Sequence, residues 1–312
     1  MANTYAKVSG TFQEIDNAYG KVSGVWKEAD EIYGKVSGVW KLVFSAFEAT
    51  SYSTLSSGSG TFTVPDQANA IHIQFAVGAG GGGFRGASYD KAGGESAGAG
   101  GGSGGYVSDK ILTVSSGETI SYSIGSGGAA NNTASQRYSG SSSAGTNTTL
   151  SGSTTGSLFT LNGGGGASSS GGGVQGPLRS NTAGTAGSNT ISGAAVTSGN
   201  FRDSDGATKA VTTNTSGPTG TFNDNGNGAA GANPGNCGGD NCQIGGGTGG
   251  ASYDGNVSGG AGSPQGGSTG GTAGTRGSGG GGGGAQYGTE NTTAAGANGG
   301  TGEIKYRFLR VN

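Results

Sequence analysis

The apolar residues of this chain occur in short segments in which they alternate with polar residues. In 71-IHIQFAV-77, Ile71, Ile73, Phe75 and Val77 alternate with the smaller or polar residues between them. Because successive side chains of a β-strand point to opposite faces, this period of two predicts a strand with one buried face. Similar patterns occur at 61-TFTV-64, 106-YVSDKILTV-114, 119-TISYSI-124 and 303-EIKYRFLRV-311. These predicted strands enclose the segment between them, so we expect a small β base that joins the two ends of one domain.

A repeat precedes these strands. The segments 5-YAKVSGTFQEIDNA-18, 19-YGKVSGVWKEADEI-32 and 33-YGKVSGVWKLVFSA-46 align without gaps. In each unit a Ser-Gly pair separates two short stretches with strand-like composition, and glycine readily adopts the positive φ of a two-residue hairpin turn. Each unit therefore predicts a short β-hairpin.

A single hairpin is only marginally stable in water, so the apolar side chains of these units need a cover. One alternative is a self-contained meander in which the hairpins pack on one another. The other is a docking element, residues 1–48, that completes its core on a larger assembly through Phe12, Tyr19, Val25, Trp26, Tyr33, Val39 and Trp40. Residues 49–60 are rich in serine, threonine and glycine, which predicts a linker.

Glycine dominates the remaining sequence, with 76 glycines in 312 residues. Glycines 271, 274, 277, 280 and 283 lie three apart, as do 80, 83 and 86. Three residues per turn is the repeat of polyproline II geometry, which has no internal hydrogen bonds and must bond to neighbours when buried. Collagen is excluded because the triplet phase breaks repeatedly and only 5 prolines are present. The alternatives are a packed array of polyglycine II helices or a disordered chain.

The fold class that we expect is therefore mainly β. Short N-terminal β-hairpin repeats precede a glycine-rich domain, residues 61–312, of stacked polyglycine II helices on a small β base. The packed array is favoured over disorder because strand patterns flank it and because only 11% of the residues are charged.

Charge and composition restrict the function classes. The net charge of -2 and the absence of a lysine or arginine cluster argue against nucleic acid as a partner. No apolar run is long enough to span a bilayer, and the N-terminus lacks the pattern of a secretory signal, so we expect synthesis in the cytoplasm. Cys237 and Cys242 either close a small disulfide loop or remain free thiols, and with His72 as the only histidine a zinc site lacks ligands.

Catalytic motifs are weak in this sequence. Matches to GxGxxG are frequent by chance, and 101-GGSGG-105 fits a nucleophile pattern without a following amphipathic helix. The acidic segments 203-DSDG-206 and 223-NDNGNG-228 lack the glutamate of a calcium loop, so turns formed by Asx side chains are the better interpretation. We therefore expect no enzyme activity, no cofactor and no metal site.

A sparse set of large side chains interrupts the glycine and serine background. Aromatic rings stack on sugars or fill pockets, and arginine pairs with carboxylates or phosphates, so this mixture is typical of a surface that binds a receptor. The alternative is that about half of these residues anchor loops to the scaffold. The candidates are Phe84, Arg85, Tyr89, Arg137, Tyr138, Arg179, Phe201, Arg202, Tyr253, Arg276 and Tyr287.

The order of strand, glycine run, strand pair, glycine run and final strand resembles the glycine-rich domains of bacteriophage tail fibre proteins. The residues that carry it are 60-GTFTVPDQANAIHIQFAVGAGGGG-83, 101-GGSGGYVSDKILTVSSGETISYSIGSGG-128, 279-GGGGGGAQYG-288 and 302-GEIKYRFLRV-311. The polyglycine region is also similar to the receptor-binding adhesins of T-even-type long tail fibres, although this chain lacks their N-terminal attachment region. The unit YGKVSGVWK is similar to repeats in phage minor virion proteins.

The resemblance implies a phage tail fibre or tail-tip protein, located in the virion, whose loops bind a host cell-surface receptor. Its expected partners are other virion tail proteins, through the N-terminal repeat, and a host surface glycan or outer-membrane protein. Related fibre proteins are trimers, whereas the T-even-type adhesins are monomers, so both oligomeric states stay open. The alternatives are a purely structural virion protein, an ice-binding protein and a glycan-cleaving enzyme.

Overall fold

A computed structural model describes most of the chain. The described residues are 5–8, 11–14, 19–29, 31–45, 47–86, 95–132, 140–170, 180–211, 225–226, 236–237, 243–244, 246–251, 259–262, 270–282, 285–286 and 294–312. Over these ranges the chain forms strands and extended segments and contains no helix, which confirms the mainly β expectation. Accordingly, none of these ranges supplies a helix of the length and apolarity needed to cross a membrane.

The N-terminal repeats form hairpins, as their sequence predicts. The strands are β1 (Tyr5–Val8), β2 (Thr11–Glu14), β3 (Tyr19–Val22), β4 (Val25–Glu28), β5 (Glu31–Val36) and β6 (Val39–Ser45). They pair in sequence order into separate two-stranded antiparallel sheets. In the turn between β3 and β4, both Ser23 and Gly24 have positive φ (51° and 82°), the conformation of a type I′ turn.

The rest of the described chain contains short strands separated by extended segments. They are β7 (Ser53–Leu55), β8 (Ser59–Thr63), β9 (Ala70–Val77), β10 (Glu95–Ser96), β11 (Tyr106–Thr113), β12 (Thr119–Ser123), β13 (Gly140–Ser141), β14 (Thr148–Gly152), β15 (Gly156–Leu161), β16 (Ser168–Ser170), β17 (Ser180–Thr182), β18 (Asn189–Ile191), β19 (Asn200–Arg202), β20 (Thr208–Ala210), β21 (Asn225–Gly226), β22 (Asn236–Cys237), β23 (Gln243–Ile244), β24 (Ala285–Gln286) and β25 (Glu303–Leu309).

Two five-stranded sheets form the β base that the alternating patterns predict. One has the order β21-β11-β9-β25-β7 and the other β18-β15-β14-β12-β8. Buried apolar residues from both sheets, among them Ile71, Leu112, Leu150 and Phe159, share one core. Because β25 pairs with β9, the last strand closes the domain against one of the first. The expectation of a base that joins both ends is confirmed.

The alternation predicted for β9 changes phase within the strand. Lys305 pairs with Phe75 and Tyr306 pairs with Ile73, so Gln74 is the extra residue of a β-bulge. Ile71 and Ile73 face the shared core, but beyond the bulge Ala76 joins it in place of Phe75 and Val77. All four predicted residues are buried. Phe75 and Val77 nevertheless lie outside the shared core, because an inserted residue reverses the facing of every side chain after it.

The segment predicted as a linker is part of the base. Ser53–Leu55 pairs with β25 as an edge strand, and Ser59 begins β8. Ala49 is buried, and its N–H donates to the carbonyl oxygen of Arg202. Serine and threonine are compatible with an edge strand that faces solvent, which is why composition alone indicated a linker.

Glycine-rich segments pack side by side above the base into what we call the glycine array. Its segments are 78–86, 97–105, 125–131, 142–147, 162–167, 183–188, 246–251, 259–262, 270–275, 278–282 and 294–300. Backbone N–H groups of the first segment donate to neighbours in turn, with a period of three. Gly78, Gly81 and Phe84 donate to segment 97–105, Ala79 and Gly82 to segment 142–147, and Gly80, Gly83 and Gly86 to segment 294–300.

Carbonyl groups of the same segment accept from three further neighbours. Gly81 O accepts from Gly280, Gly80 O from Gly128, and Ala79 O from Gly164. A chain with three residues per turn presents three faces, so all N–H groups of residues 78–86 and the carbonyl groups of residues 79–83 find partners although no bond lies within the segment. This is the polyglycine II packing expected from the spacing of the glycines.

Glycine is required in the array because the backbones touch. A Cβ added at Gly80, Gly81 or Gly83 would lie well under 3.0 Å from a carbonyl oxygen of a neighbouring segment, a distance that real Cβ atoms essentially never show. Alanine occurs where the neighbours leave room, as at Ala99 and Ala167, which pack with Phe84. The absence of a side chain at these glycines is therefore what allows the hydrogen bonds between neighbouring segments.

The glycine run 271–283 is interrupted by a turn, contrary to its unbroken triplet spacing. Arg276 and Gly277 both have positive φ (41° and 75°), and Ser278 N–H donates to Thr275 O. Residues 270–275 and 278–282 therefore run antiparallel, since Gly281 N–H donates to Thr272 O. Glycine spacing alone does not distinguish one long helix from two short ones.

Candidate functional site

The glycine array has two distinct ends. Strands β9, β12 and β15 lead into segments 78–86, 125–131 and 162–167, and the following segments return the chain to β11, β14 and β18. The chain thus leaves the base after each of these three strands and comes back, and after β21 it passes through the array again before segment 294–300 returns it to β25. We call the end at the sheets the base end and the opposite end the distal end.

The distal end is where the chain passes into segments that carry predicted binding residues. Residues 87–94, 133–139 and 171–179 connect array segments there and lie outside the described residues. Ala294, which follows residues 287–293, also lies at this end, because its carbonyl oxygen accepts from Gly86 N–H. Tyr89, Arg137, Tyr138, Arg179 and Tyr287 belong to these connections.

Short strands tie the described residues of the distal end together. Gly140–Ser141 pairs with Ser168–Ser170, which pairs with Ser180–Thr182. The amide of Asn181 donates to Ala97 O (2.6 Å), and Asn132 Oδ1 accepts from Gly296 N–H (2.9 Å). The connections are therefore anchored on neighbouring positions of one hydrogen-bonded surface, although they are far apart in sequence.

Phe84 and Arg85 lie at the distal end but serve the scaffold in part. Phe84 is 4% exposed and packs against Ala99 and Ala167. Arg85 is half-buried, and its guanidinium donates to Asn132 O (3.4 Å). Burial of the Phe84 ring corresponds to the anchoring alternative, because a ring enclosed by the array has no face left for a ligand.

Three other predicted binding residues lie at the base end. Phe201 is 7% exposed on strand β19, and Arg202 Nε lies 3.1 Å from Glu48 Oε1. Arg276 occupies the turn beside Gly277, whose carbonyl accepts from Gly104 N–H, and its Nε lies 3.7 Å from Glu303 Oε2. The structure therefore does not bring these residues together with those of the distal connections. Tyr253 belongs to residues 252–258, which lie outside the described part.

An ion-pair cluster at the base end joins strand β19 to the last strand. Arg307 Nη1 donates to Asp203 Oδ1 (2.5 Å), and Lys209 Nζ pairs with the other carboxylate oxygen. Burial by itself raises the pKa of Asp203, but hydrogen bonds from Lys209, the Ser204 N–H and Arg307 outweigh it and lower the pKa to about 2. The cluster is structural: each charge in it has a partner of opposite sign.

Only part of this cluster could be predicted from the amino-acid pattern. Asp203 was considered as a turn residue, and Asp205 does form one by accepting from Ala207 N–H (2.9 Å). Tyr52 was missed, although Arg307 lies 4.6 Å from its ring centre and its hydroxyl bonds to His72 Nδ1 (3.0 Å). The serine-rich sequence around Tyr52 did not indicate a contact for this residue. The alternation in β25, in contrast, indicated that Arg307 lies on the polar face of the strand.

The N-terminal hairpins present a second candidate surface. Val25 and Val39 are each 61% exposed, Trp26 and Trp40 are each 66% exposed, and Tyr33 is 49% exposed. The backbones of Phe12 and Tyr19 lie in β2 and β3, while their side chains lie outside the described part. Large apolar side chains with this exposure are typical of a surface that another molecule covers.

Whether Cys237 pairs with Cys242 stays a prediction, since Cys242 lies outside the described residues.

The comparisons with known proteins identify the family. The family model of a glycine-rich domain matches residues 54–309, which is most of the chain. The protein therefore belongs to this glycine-rich domain family. A search of curated proteins found no match.

Proposed function

We propose that this glycine-rich domain protein is a non-enzymatic bacteriophage tail fibre or tail-tip component that binds a host cell-surface receptor. In this proposal the connections at the distal end form the binding surface and the N-terminal hairpins attach the chain to other virion tail proteins. It works in the virion, needs no cofactor, and is made in the host cytoplasm.

The observation that supports the proposal is the polarity of the molecule. The chain enters the domain at the base end, where Ala49 and Ser53–Leu55 join the sheets. The connections that carry Tyr89, Arg137, Tyr138, Arg179 and Tyr287 begin and end at the opposite end. Attachment and recognition are thereby separated by the length of a hydrogen-bonded array.

The array suits such a role because it separates scaffold from recognition. Backbone hydrogen bonds hold the segments, so the connecting sequences are free to differ without loss of packing. A preorganised scaffold lowers the entropy lost on binding, and several copies on one particle raise the avidity when each site binds modestly. The receptor is expected to be a surface glycan or an outer-membrane protein, which aromatic and arginine side chains can bind.

A purely structural virion role is the second candidate. The burial of Phe84 and Phe201 and the ion pair of Arg202 favour it, because these residues stabilise the scaffold. Such a protein would need the array only as a spacer. The two candidates differ in what happens when the distal connections change.

The test replaces Arg137, Tyr138 and Tyr287 by alanine and measures the adsorption of particles to host cells. We expect adsorption to fall at least about tenfold while the number of copies per particle is unchanged. Arg276→Ala is the matched control, because this arginine is exposed at the base end. Normal adsorption after substitution of all distal candidates would contradict receptor binding and favour the structural role.

A further inference from the structure

The hairpins β3–β4 and β5–β6 have the same turn geometry. The turn residues Ser23 and Ser37 have φ of 51° and 50°, and the glycines that follow them have φ of 82° and 85°. The exposures agree as well, at 61% for both valines and 66% for both tryptophans. The two repeats therefore share the sequence YGKVSGVWK and expose its second valine and its tryptophan to the same extent.

Each hairpin is a unit of its own. Strand β3 pairs with β4 and β5 with β6, and over the described residues no strand pairing joins one hairpin to the next. The expected alternative of one continuous meander would require such a pairing. Neither tryptophan ring is covered by a sibling hairpin, since both are two-thirds exposed.

The two faces of a hairpin differ in chemistry. Lys21 lies directly opposite Trp26, and Lys35 opposite Trp40, so one face combines an exposed cation with an aromatic ring. Val25 precedes Trp26 in the strand and therefore points to the other face. A partner site that covers both faces of a hairpin is therefore a cleft with apolar walls, and it carries negative charge beside the tryptophan to match the lysine.

We infer that the three repeats bind equivalent clefts of this kind on one symmetric homo-oligomer of the virion, with one repeat on each subunit. An asymmetric surface rarely repeats one cleft, whereas the subunits of a closed oligomer present identical clefts by symmetry. This inference rests on the proposed attachment role and specifies the partner.

The short connections between the hairpins restrict the arrangement of the clefts. Glu28 ends β4 and Glu31 begins β5. Even a fully extended chain places these two residues at most about 10 Å apart. From Glu14 to Tyr19 the limit is about 18 Å. The clefts must therefore lie close together around one axis, as they do where subunits meet at the centre of a ring.

Equivalent clefts have a measurable consequence. Particles lacking this protein are produced in cells that supply the unmodified chain, Trp26→Ala, Trp40→Ala, the double variant, or a chain without residues 19–32. The measurements are copies per particle, by quantitative mass spectrometry, and the rate at which copies are lost after dilution. The control is Thr275→Ala, an exposed position of the array.

We expect the two single variants to be lost at the same rate, about tenfold or more faster than the unmodified chain, and the double variant faster again by a similar factor. The chain without residues 19–32 should still enter particles, because two repeats remain. If one tryptophan variant is silent and the other abolishes incorporation, the clefts are not equivalent. Complete loss on deletion of one repeat would also overturn the inference, whereas failure of the unmodified chain to enter particles would overturn the attachment role itself.

Discussion

Substitution of Gly101 by alanine tests whether the array is held by contact between backbones. Gly101 lies in the fully enclosed segment 97–105, and a Cβ there would lie far below 3.0 Å from the carbonyl oxygen of Gly81. That oxygen already accepts from Gly280 N–H (2.9 Å). The methyl group cannot displace a flexible side chain, because the atom in its way is backbone.

The expected loss of stability follows from the hydrogen bonds around this position. Ordinary contact begins at 3.4 Å, so the two segments must separate by about 1 Å. The bonds of Gly101 N–H to Gly280 O (3.0 Å) and of Gly250 N–H to Gly101 O (2.8 Å) are then strained or broken. Each buried group left without a partner costs about 1–3 kcal/mol, so we expect a loss of about 3–5 kcal/mol.

Calorimetry and amide hydrogen exchange measure this loss. For a domain of this size about 1 kcal/mol corresponds to 2–4 °C, so Tm should fall by roughly 10 °C. Exchange should accelerate in peptides that cover residues 78–86, 97–105 and 278–282. Gly20→Ala is the matched control, because nothing lies within 4 Å of a Cβ at Gly20.

The reasoning is refuted if Gly101→Ala leaves both Tm and exchange unchanged. Rapid exchange of residues 97–105 in the unmodified protein would refute it more directly, because hydrogen-bonded amides in an enclosed segment must be protected. Either result would mean that the segments do not pack as described and that the distal connections lack a rigid support.

Three further predictions concern the scaffold. The pKa of Asp203 in the folded chain, about 2, lies below its ordinary value of 3.8, so the stability that the ionised carboxylate contributes is present above pH 4 and is lost as the pH falls toward 2. The urea midpoint should drop over this range by the equivalent of about 2 kcal/mol. Asp203→Asn should remove that part of the pH dependence. Phe84→Ala should lower the free energy of unfolding by about 3 kcal/mol, because the ring is enclosed. If the variant is fully stable but particle adsorption is impaired, Phe84 is a binding residue instead. Glu118→Gln should weaken the turn at Thr154–Thr155, whose N–H groups donate to Glu118 Oε2 (3.0 and 3.1 Å), and calorimetry should show a lower Tm of a few degrees.

The amino-acid pattern by itself determined the elements whose rules are local. A period of two placed the strands of the base, the repeated Ser-Gly pair placed the hairpin turns, and glycines three apart predicted the polyglycine II geometry. These predictions succeeded because strand facing, positive φ and triplet spacing depend on neighbouring residues. The same rules failed at Gln74 and at Arg276, where a bulge and a turn follow from partners that are distant in sequence.

Only the tertiary structure decided which candidate residues share an end of the molecule. Phe84, Phe201 and Tyr287 look alike in the sequence, as large side chains in a glycine-rich context. The fold buries the first at the distal end and the second at the base end, and it places Ala294, which follows the connection that carries the third, at the distal end. The physical reason is that hydrogen bonds of the array join residues far apart along the chain, so the order of its segments, and with it the position of each connection, is set by packing and not by local composition.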